Sequence, residues 1–221
     1  MNFLPSGMIT LYYNRSGSYI SIGGVFEAKN KSATVKEISA KVVRNSDSAT
    51  LALRWSSFPS PVVKNIAGNM ETTFETAHPF KIEKDSLFPV FVEFQNANVN
   101  AEEKFSILAM PTLTVANCFA SQVNADYISA VNQTKSTKEY HDASLALNDF
   151  LFWKCDSYRL VMTAKYEDSS MEKEYVFSIS EEESSKLRTN IDALLFEPIS
   201  RRFVVFPQIN TVRKDYHEMV S

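Results

Sequence analysis

Residues 19–28 read Tyr-Ile-Ser-Ile-Gly-Gly-Val-Phe-Glu-Ala, and their alternation sets the fold class. The even positions are mostly apolar, whereas Ser21 and Glu27 occupy the other parity. Since successive side chains of a strand point to opposite faces of a sheet, this period of two is typical of a half-buried strand. The same alternation recurs at residues 38–42, 51–55, 88–94, 158–166 and 175–179. The chain is therefore predicted to be mainly β.

Hairpins and a central strand follow from the same pattern. The polar turn at residues 45–48 separates one pair of alternating segments, and residues 167–170 separate another. The strand around residues 88–94 is the best candidate for a central position. Phe91 lies on the parity opposite to Val90 and Val92, so we expect this strand to be covered on both faces.

The strongest helix signal begins at Ser180. This serine precedes three glutamates, as in a capping box with an acidic first turn. The apolar stripe of the helix would be Leu187, Ile191, Leu194 and Leu195. We expect Pro198 to end the helix and residues 203–206 to add a last strand before a polar tail.

Two stretches are predicted to be irregular insertions. Residues 57–85 carry three prolines and favour a long loop, which is a candidate binding surface or a plain connection between sheets. Residues 117–152 are compatible with short helices at 120–131 and 140–152. Between these insertions, the alternation at 105–115 predicts one strand broken at Pro111.

One short segment carries a resemblance at the level of the fold. The run Trp-Lys-Cys-Asp-Ser-Tyr-Arg-Leu, residues 153–160, resembles the late corner of an immunoglobulin-like β-sandwich, where a tyrosine anchors the turn. Trp55 would suit the core aromatic position of such a sandwich. The resemblance implies an immunoglobulin-like β-sandwich. Together with the helix and the insertions above, the expected fold is mainly β, an immunoglobulin-like β-sandwich with a C-terminal α-helix and a partly helical insertion, in a single domain over residues 1–221.

Composition excludes several classes of function. The net charge of -3 offers no general attraction to phosphate backbones or anionic lipids, so neither nucleic acid nor a membrane is an expected partner. The five glycines form no phosphate-binding loop, and Gly23–Gly24 is interpreted as close packing within a strand. We expect no cofactor.

The cysteines and the N-terminal residues suggest where the protein works. Cys118 and Cys155 are too few for a disulfide scaffold and too isolated for a zinc site, so two reduced, buried thiols and no metal are expected. The first residues lack the pattern of a secretory signal. These features predict a cytoplasmic protein.

No catalytic constellation is visible. His78, His141 and His217 stand apart from any nucleophile pattern, and only the neighbouring pair His141 and Asp142 is a candidate, because a carboxylate can orient an imidazole. We therefore expect no catalytic residues, and we favour a binding protein over an enzyme.

The preferred interpretation is a non-catalytic intracellular protein-binding or assembly module. Its partner would be another protein or a second copy of the chain, bound through an edge strand, the loops or the C-terminal helix. One alternative is a ligand- or carbohydrate-binding β-sandwich that uses the aromatic residues Tyr12, Tyr13 and Trp153. Another is an enzyme with a dispersed site that includes His78, His141 and Asp142. His141 and Asp142 are counted with the three aromatic residues as candidate binding residues.

Overall fold

A computed structural model describes residues 1–59, 63–64, 70–71, 74–205 and 208–219. Strands account for 45% of the structure and helices for 31%, so the predicted mainly β class is confirmed. The strands are β1 (Asn2–Asn14), β2 (Gly17–Ala28), β3 (Ala33–Arg44), β4 (Thr50–Pro59), β5 (Val63–Lys64), β6 (Met70–Glu71), β7 (Phe74–Thr76), β8 (Phe80–Ile82), β9 (Ser86–Asn96), β10 (Asp156–Tyr166), β11 (Ser169–Ile179), β12 (Val212–Asp215) and β13 (His217–Glu218). The helices are α1 (Ala101–Ala120), α2 (Tyr127–Lys135), α3 (Lys138–Phe150), α4 (Glu181–Arg188) and α5 (Asn190–Arg202).

Most of these strands belong to one antiparallel sheet. Its main path runs β12-β1-β2-β9-β4-β3-β10-β11-β13, with β7 paired to β4 and β8 paired to β3. Only Tyr216 separates β12 from β13, so residues 212–218 pair with β1 on one side and with β11 on the other. The Tyr216 N–H donates to the Gly7 carbonyl at 3.1 Å. This closing segment, residues 212–218, joins the two ends of the path into a nearly closed, barrel-like sheet.

The interior of the sheet is filled by the apolar side chains that the alternation places on one face. Ile20, Ile22 and Phe26 of β2 are fully buried, and the inward positions of the neighbouring strands pack against them. β9 does lie inside the sheet, between β2 and β4. The expectation that both of its faces are covered is wrong, because Phe91 is 52% exposed.

The five helices of the described chain lie in two connections at one end of the sheet. The first three link the end of β9 to the start of β10, and α4 and α5 link β11 to β12. The Trp153 indole N–H donates to the Tyr12 carbonyl at 3.1 Å. The Asn190 side-chain amide donates to the Asn210 carbonyl at 2.9 Å. These bonds fix the helices over what we call the helix-covered end.

The strand predicted at residues 105–115 is wrong, since these residues belong to α1. Phe105, Ala109, Thr112 and Ala116 are buried at spacings of three or four, as on one face of a helix. The apparent alternation included Ile107, which is exposed. Pro111 lies on the solvent side of α1. Proline has no N–H to donate to the carbonyl one turn earlier, and on this side water can bond to that carbonyl instead.

The short helices suggested within residues 117–152 correspond to α2 and α3, with different boundaries. The helix start predicted at Ser180 is confirmed by a complete capping box. The Ser180 hydroxyl accepts from the Glu183 N–H at 3.3 Å, and the Glu183 carboxylate accepts from the Ser180 N–H at 2.8 Å.

The predicted apolar stripe of the C-terminal helix is buried, at Leu187, Ile191, Leu194 and Leu195. A single helix that ends at Pro198 is wrong. The chain forms two helices here, and Pro198 lies inside α5. The fully buried Asn190 begins the second helix and fastens it to the chain before β12, because its side-chain oxygen accepts from the Asn210 N–H at 2.7 Å.

Tyr158 anchors the turn before β10, as predicted. Its hydroxyl donates to the Lys154 carbonyl and accepts from the Lys154 N–H, each at 2.7 Å. Its ring stacks on Phe177 with centroids 5.2 Å apart. Trp55 is half-buried against the same core. The corner fixes a local turn, whereas the strands around it follow one nearly closed path.

The remaining expectations concern thiols and connections. Both cysteines, expected to be buried, are exposed. The predicted insertion at 57–85 contains the end of β4 together with β5 to β8, while residues 60–62, 65–69 and 72–73 lie outside the described residues. Residues 203–204 form a turn and not a strand, and residue 206 lies outside the described part. Within the described ranges, no helix has the length and apolar character needed to cross a membrane.

Candidate functional site

The outer surface of the sheet has two chemically different faces. On the side of β3, β10 and β11, outward side chains pair across neighbouring strands. The Lys165 ammonium lies 2.9 Å from the Glu37 carboxylate, and the Arg159 guanidinium lies 3.7 Å from the Glu174 carboxylate. Exposed ion pairs of this kind contribute little stability and are typical of a solvated surface. We call it the charged face.

The face formed by β1, β2 and β9 exposes apolar side chains instead. Leu87 is 62% exposed, Phe91 52% and Leu4 44%. The register brings the strands' apolar positions together, with Leu4 opposite Val25 and Val25 opposite Pro89. We call Leu4, Val25, Leu87, Pro89 and Phe91 the apolar strip. An apolar patch on adjacent strands is typical of a surface that binds another molecule.

Two glycines of β2 permit close packing beside this strip. A Cβ on Gly23 would lie 2.7 Å from Cε1 of Phe91, and a Cβ on Gly24 would lie 2.3 Å from Cζ of the buried Phe3. The absence of a side chain at 23 therefore lets the Phe91 ring lie against β2. The close packing predicted for this glycine pair is confirmed.

A polar cluster adjoins the strip toward the helix-covered end. The Glu93 carboxylate accepts hydrogen bonds from the hydroxyls of Tyr12 and Ser57, the latter at 2.6 Å. The rings of Tyr12 and Tyr19 stack with centroids 4.7 Å apart. Burial and the adjacent Glu93 carboxylate raise the pKa of Tyr12 far above its ordinary value, so its hydroxyl stays protonated and donating. We call Tyr12, Tyr19, Ser57, Glu93 and Gln95 the tyrosine cluster.

Gln95 connects this cluster to β4. With its amide oxygen facing Arg54, the side chain accepts from that guanidinium at 2.6 and 2.8 Å and donates to the Tyr19 hydroxyl at 2.8 Å. A hollow of about 340 Å³ opens above Tyr12, Tyr19 and Gln95. Because its polar groups pair with one another, the cluster stiffens the face and supplies a polar rim next to the apolar strip.

The predicted binding residues do not come together. Tyr12 belongs to the tyrosine cluster, but Tyr13 is buried against the helices and Trp153 is only 1% exposed. His141 and Asp142 are exposed on α3 and do not lie on the sheet face. The exposed aromatic platform considered for carbohydrate binding thus lacks two of its three rings.

Sequence analysis missed most of this face. Leu87, Pro89 and Phe91 all occupy the outward parity of β9, and three apolar residues there were a readable signal of an apolar outer face. The bond between Ser57 and Glu93 carried no such signal. It depends on a register shift in β4 between Trp55 and Ser57, which the sequence does not reveal.

The helices hold a separate charged cluster. Asp192 of α5 accepts from the Tyr140 hydroxyl at 2.7 Å and pairs with the Lys135 ammonium, which ties together α2, α3 and α5. Burial, followed by the hydrogen bond to Asp192, raises the pKa of Tyr140 to about 12. Among the described residues, no group of three or more His, Cys, Asp or Glu side chains is arranged to hold a metal ion.

Comparison with known proteins adds little. No protein family and no curated protein matches the chain. Similar solved structures include a family 123 glycoside hydrolase from Clostridium perfringens, at 9% identity and a TM-score of 0.33, covering 76% of this chain and 22% of that one. They also include a protein from Archaeoglobus fulgidus, at 7% identity and a TM-score of 0.29, covering 81% of this chain and 94% of that one. The chain thus spans 22% of the length of the glycoside hydrolase, and likeness at this level identifies no function.

Proposed function

We propose that this protein is a non-catalytic, cytoplasmic protein-binding module and that the apolar strip is its binding face. The observation that carries the proposal is the exposure of Leu87 and Phe91 on β9, an inner strand of the sheet. Water around such a patch is released when another protein covers it, which favours association. The partner is another protein or a second copy of this chain.

The surroundings of the strip support the same assignment. Interfaces are rich in tyrosine and arginine and combine an apolar centre with a polar rim, and the tyrosine cluster with Arg54 provides such a rim. The charged face carries lysine and glutamate, which interfaces avoid. The C-terminal helices offer a poorer surface, because their apolar stripe already packs inside the protein.

The test is the assembly state of the wild type and of Phe91→Lys. Light scattering on a sizing column, together with a pull-down from lysate of the protein's own source, should show a dimer or a stoichiometric protein partner for the wild type. Phe91→Lys should abolish that assembly, because it places a charge within the patch that a bound partner would desolvate. Leu87→Lys should act in the same way from a more exposed position.

The matched control is Val161→Lys on the charged face, where a half-buried valine of β10 faces outward. It introduces the same charge without touching the strip and should leave assembly intact, while circular dichroism shows whether each variant is folded. A wild type that stays monomeric and captures nothing would contradict the proposal. So would a Phe91→Lys variant that assembles as the wild type does.

We also keep the immunoglobulin-like sandwich as a proposal about the fold. It is supported by the packing of Trp55 and by the two hydrogen bonds of the Tyr158 hydroxyl, which donates to the Lys154 carbonyl and accepts from the Lys154 N–H. An experimental structure tests it. Two separate packed sheets, in place of the nearly closed path described above, would support the sandwich, whereas the same closed path in an experimental structure would rule it out.

A further inference from the structure

A cavity of about 650 Å³ lies between the turn joining β1 to β2 and helix α5. Its apolar wall is built from Ala193, Leu194 and Ile209. The volume falls within the range of small-molecule sites, and an apolar wall with a few polar groups is the usual composition of such sites. The cavity is at the helix-covered end of the sheet, whereas the apolar strip extends toward the other end of the same strands.

The polar wall of the cavity includes two guanidinium groups and one carboxylate. Glu197 of α5 lies between Arg15, at 3.0 Å, and Arg201, one helical turn further along. The carboxylate pairs with both side chains and neutralises one of the two positive charges. One net positive charge therefore remains at the mouth of the cavity.

Arg15 also retains unused hydrogen-bonding capacity. Its Nε–H is buried and has no acceptor among the described residues. The Arg15 side chain as a whole is 36% exposed, so an incoming acceptor can reach the guanidinium through its accessible atoms. The planar guanidinium donates two parallel hydrogen bonds most effectively to a carboxylate or a phosphate.

We propose that this cavity binds a small amphipathic anion, whose carboxylate or phosphate head meets Arg15 and Arg201 and whose apolar body lies against Leu194 and Ile209. The apolar wall selects a hydrocarbon or ring body, because burial of that surface releases water. The remaining positive charge selects an anionic head over a neutral one. This site is independent of the proposed protein-binding face.

The probes are decanoate, decyl phosphate and decanol, each titrated into the full chain in an isothermal calorimeter. Decanoate or decyl phosphate should bind, and the tighter of the two identifies the preferred head group. Decanol should bind at least about tenfold more weakly, since a hydrogen bond to a charged group contributes roughly a factor of ten or more. Equal binding of decanol, or no binding of either anion, would overturn the proposal.

Variants locate the binding. Arg15→Gln and the highly exposed Arg201→Gln should each weaken anion binding about tenfold or more. Ala193→Phe should also weaken it, because the larger ring occupies part of the apolar side of the cavity while both guanidiniums stay present. Arg159→Gln removes the same charge from the charged face and should bind as the wild type does. If the folded Arg15→Gln variant and the folded Ala193→Phe variant both bind the anion as tightly as the wild type, the ligand lies elsewhere and the site is refuted.

Discussion

Replacement of Tyr158 by phenylalanine isolates the contribution of the hydroxyl that anchors the turn before β10. The hydroxyl donates to the Lys154 carbonyl and accepts from the Lys154 N–H, both at 2.7 Å. Phenylalanine keeps the ring, which stacks nearly parallel on Phe177 at an interplanar angle of 10°. The variant therefore removes hydrogen bonds while the aromatic packing stays.

The expected loss of stability follows from these two hydrogen bonds. Lys154 would keep one donor and one acceptor without their partner in a partly buried turn, and such a loss costs about 2 kcal/mol. For a chain of this length, that corresponds to a fall in Tm of about 4–8 °C. In urea, the midpoint should fall while the slope stays the same, because the surface exposed on unfolding is unchanged.

The same substitution at Tyr13 is the matched control, and its expected sign is opposite. The Tyr13 hydroxyl is buried without a hydrogen-bond partner in the described part of the chain. Tyr13→Phe removes this unsatisfied group, so stability should stay the same or rise. The reasoning is refuted if Tyr158→Phe has the same urea midpoint as the wild type. It is also refuted if Tyr13→Phe lowers the free energy of unfolding as much as Tyr158→Phe does.

Alkaline pH should destabilise the protein, because burial raises the pKa of Tyr158 and of Tyr216 to about 12. The unfolded chain loses these protons near pH 10 and the folded chain near pH 12, so the stabilisation is complete below pH 10 and is lost as pH rises toward 12. The free energy of unfolding, measured in urea from pH 8 to 11.5, should show this decline. It should fall less steeply with pH for Tyr216→Phe than for the wild type, and an equal fall would contradict the prediction. Gly24→Ala should lower the free energy of unfolding in urea by about 1–3 kcal/mol, because the new Cβ overlaps Phe3. Ser21→Ala on the same strand is the control and should change this free energy little.

The sequence predicted those elements whose cause is local. Alternation in β2 and the capping box at Ser180 depend on neighbours within a few residues, and both are present as expected. α1 shows where local reasoning fails. Phe105, Ile107 and Ala109 satisfy a period of two, but Thr112 and Ala116 continue the helical period, and packing against α3 and α5 decides between them.

The candidate site was less predictable, because it depends on which strands become neighbours. Phe91 was recognisable as an apolar side chain on the outward face of β9, yet the sequence did not reveal that this face stays exposed. Tyr12 and Glu93 are 81 residues apart, and their hydrogen bond exists only because β2 brings β1 and β9 together. Arg15 and Glu197 are likewise joined only by the docking of α5.

The Glu183 carboxylate connects two C-terminal features that the sequence suggested separately, a helix start and a polar tail. It caps α4 through the Ser180 N–H and also accepts from the Lys214 ammonium of the closing segment at 2.9 and 3.0 Å. One side chain thus joins the helix start to the segment that lies along β1 and β11. While that segment is in place, its backbone occupies the hydrogen-bonding groups that an added strand would need there. Binding by strand addition is therefore disfavoured along this stretch, which agrees with the proposal that a partner contacts the side chains of the apolar strip.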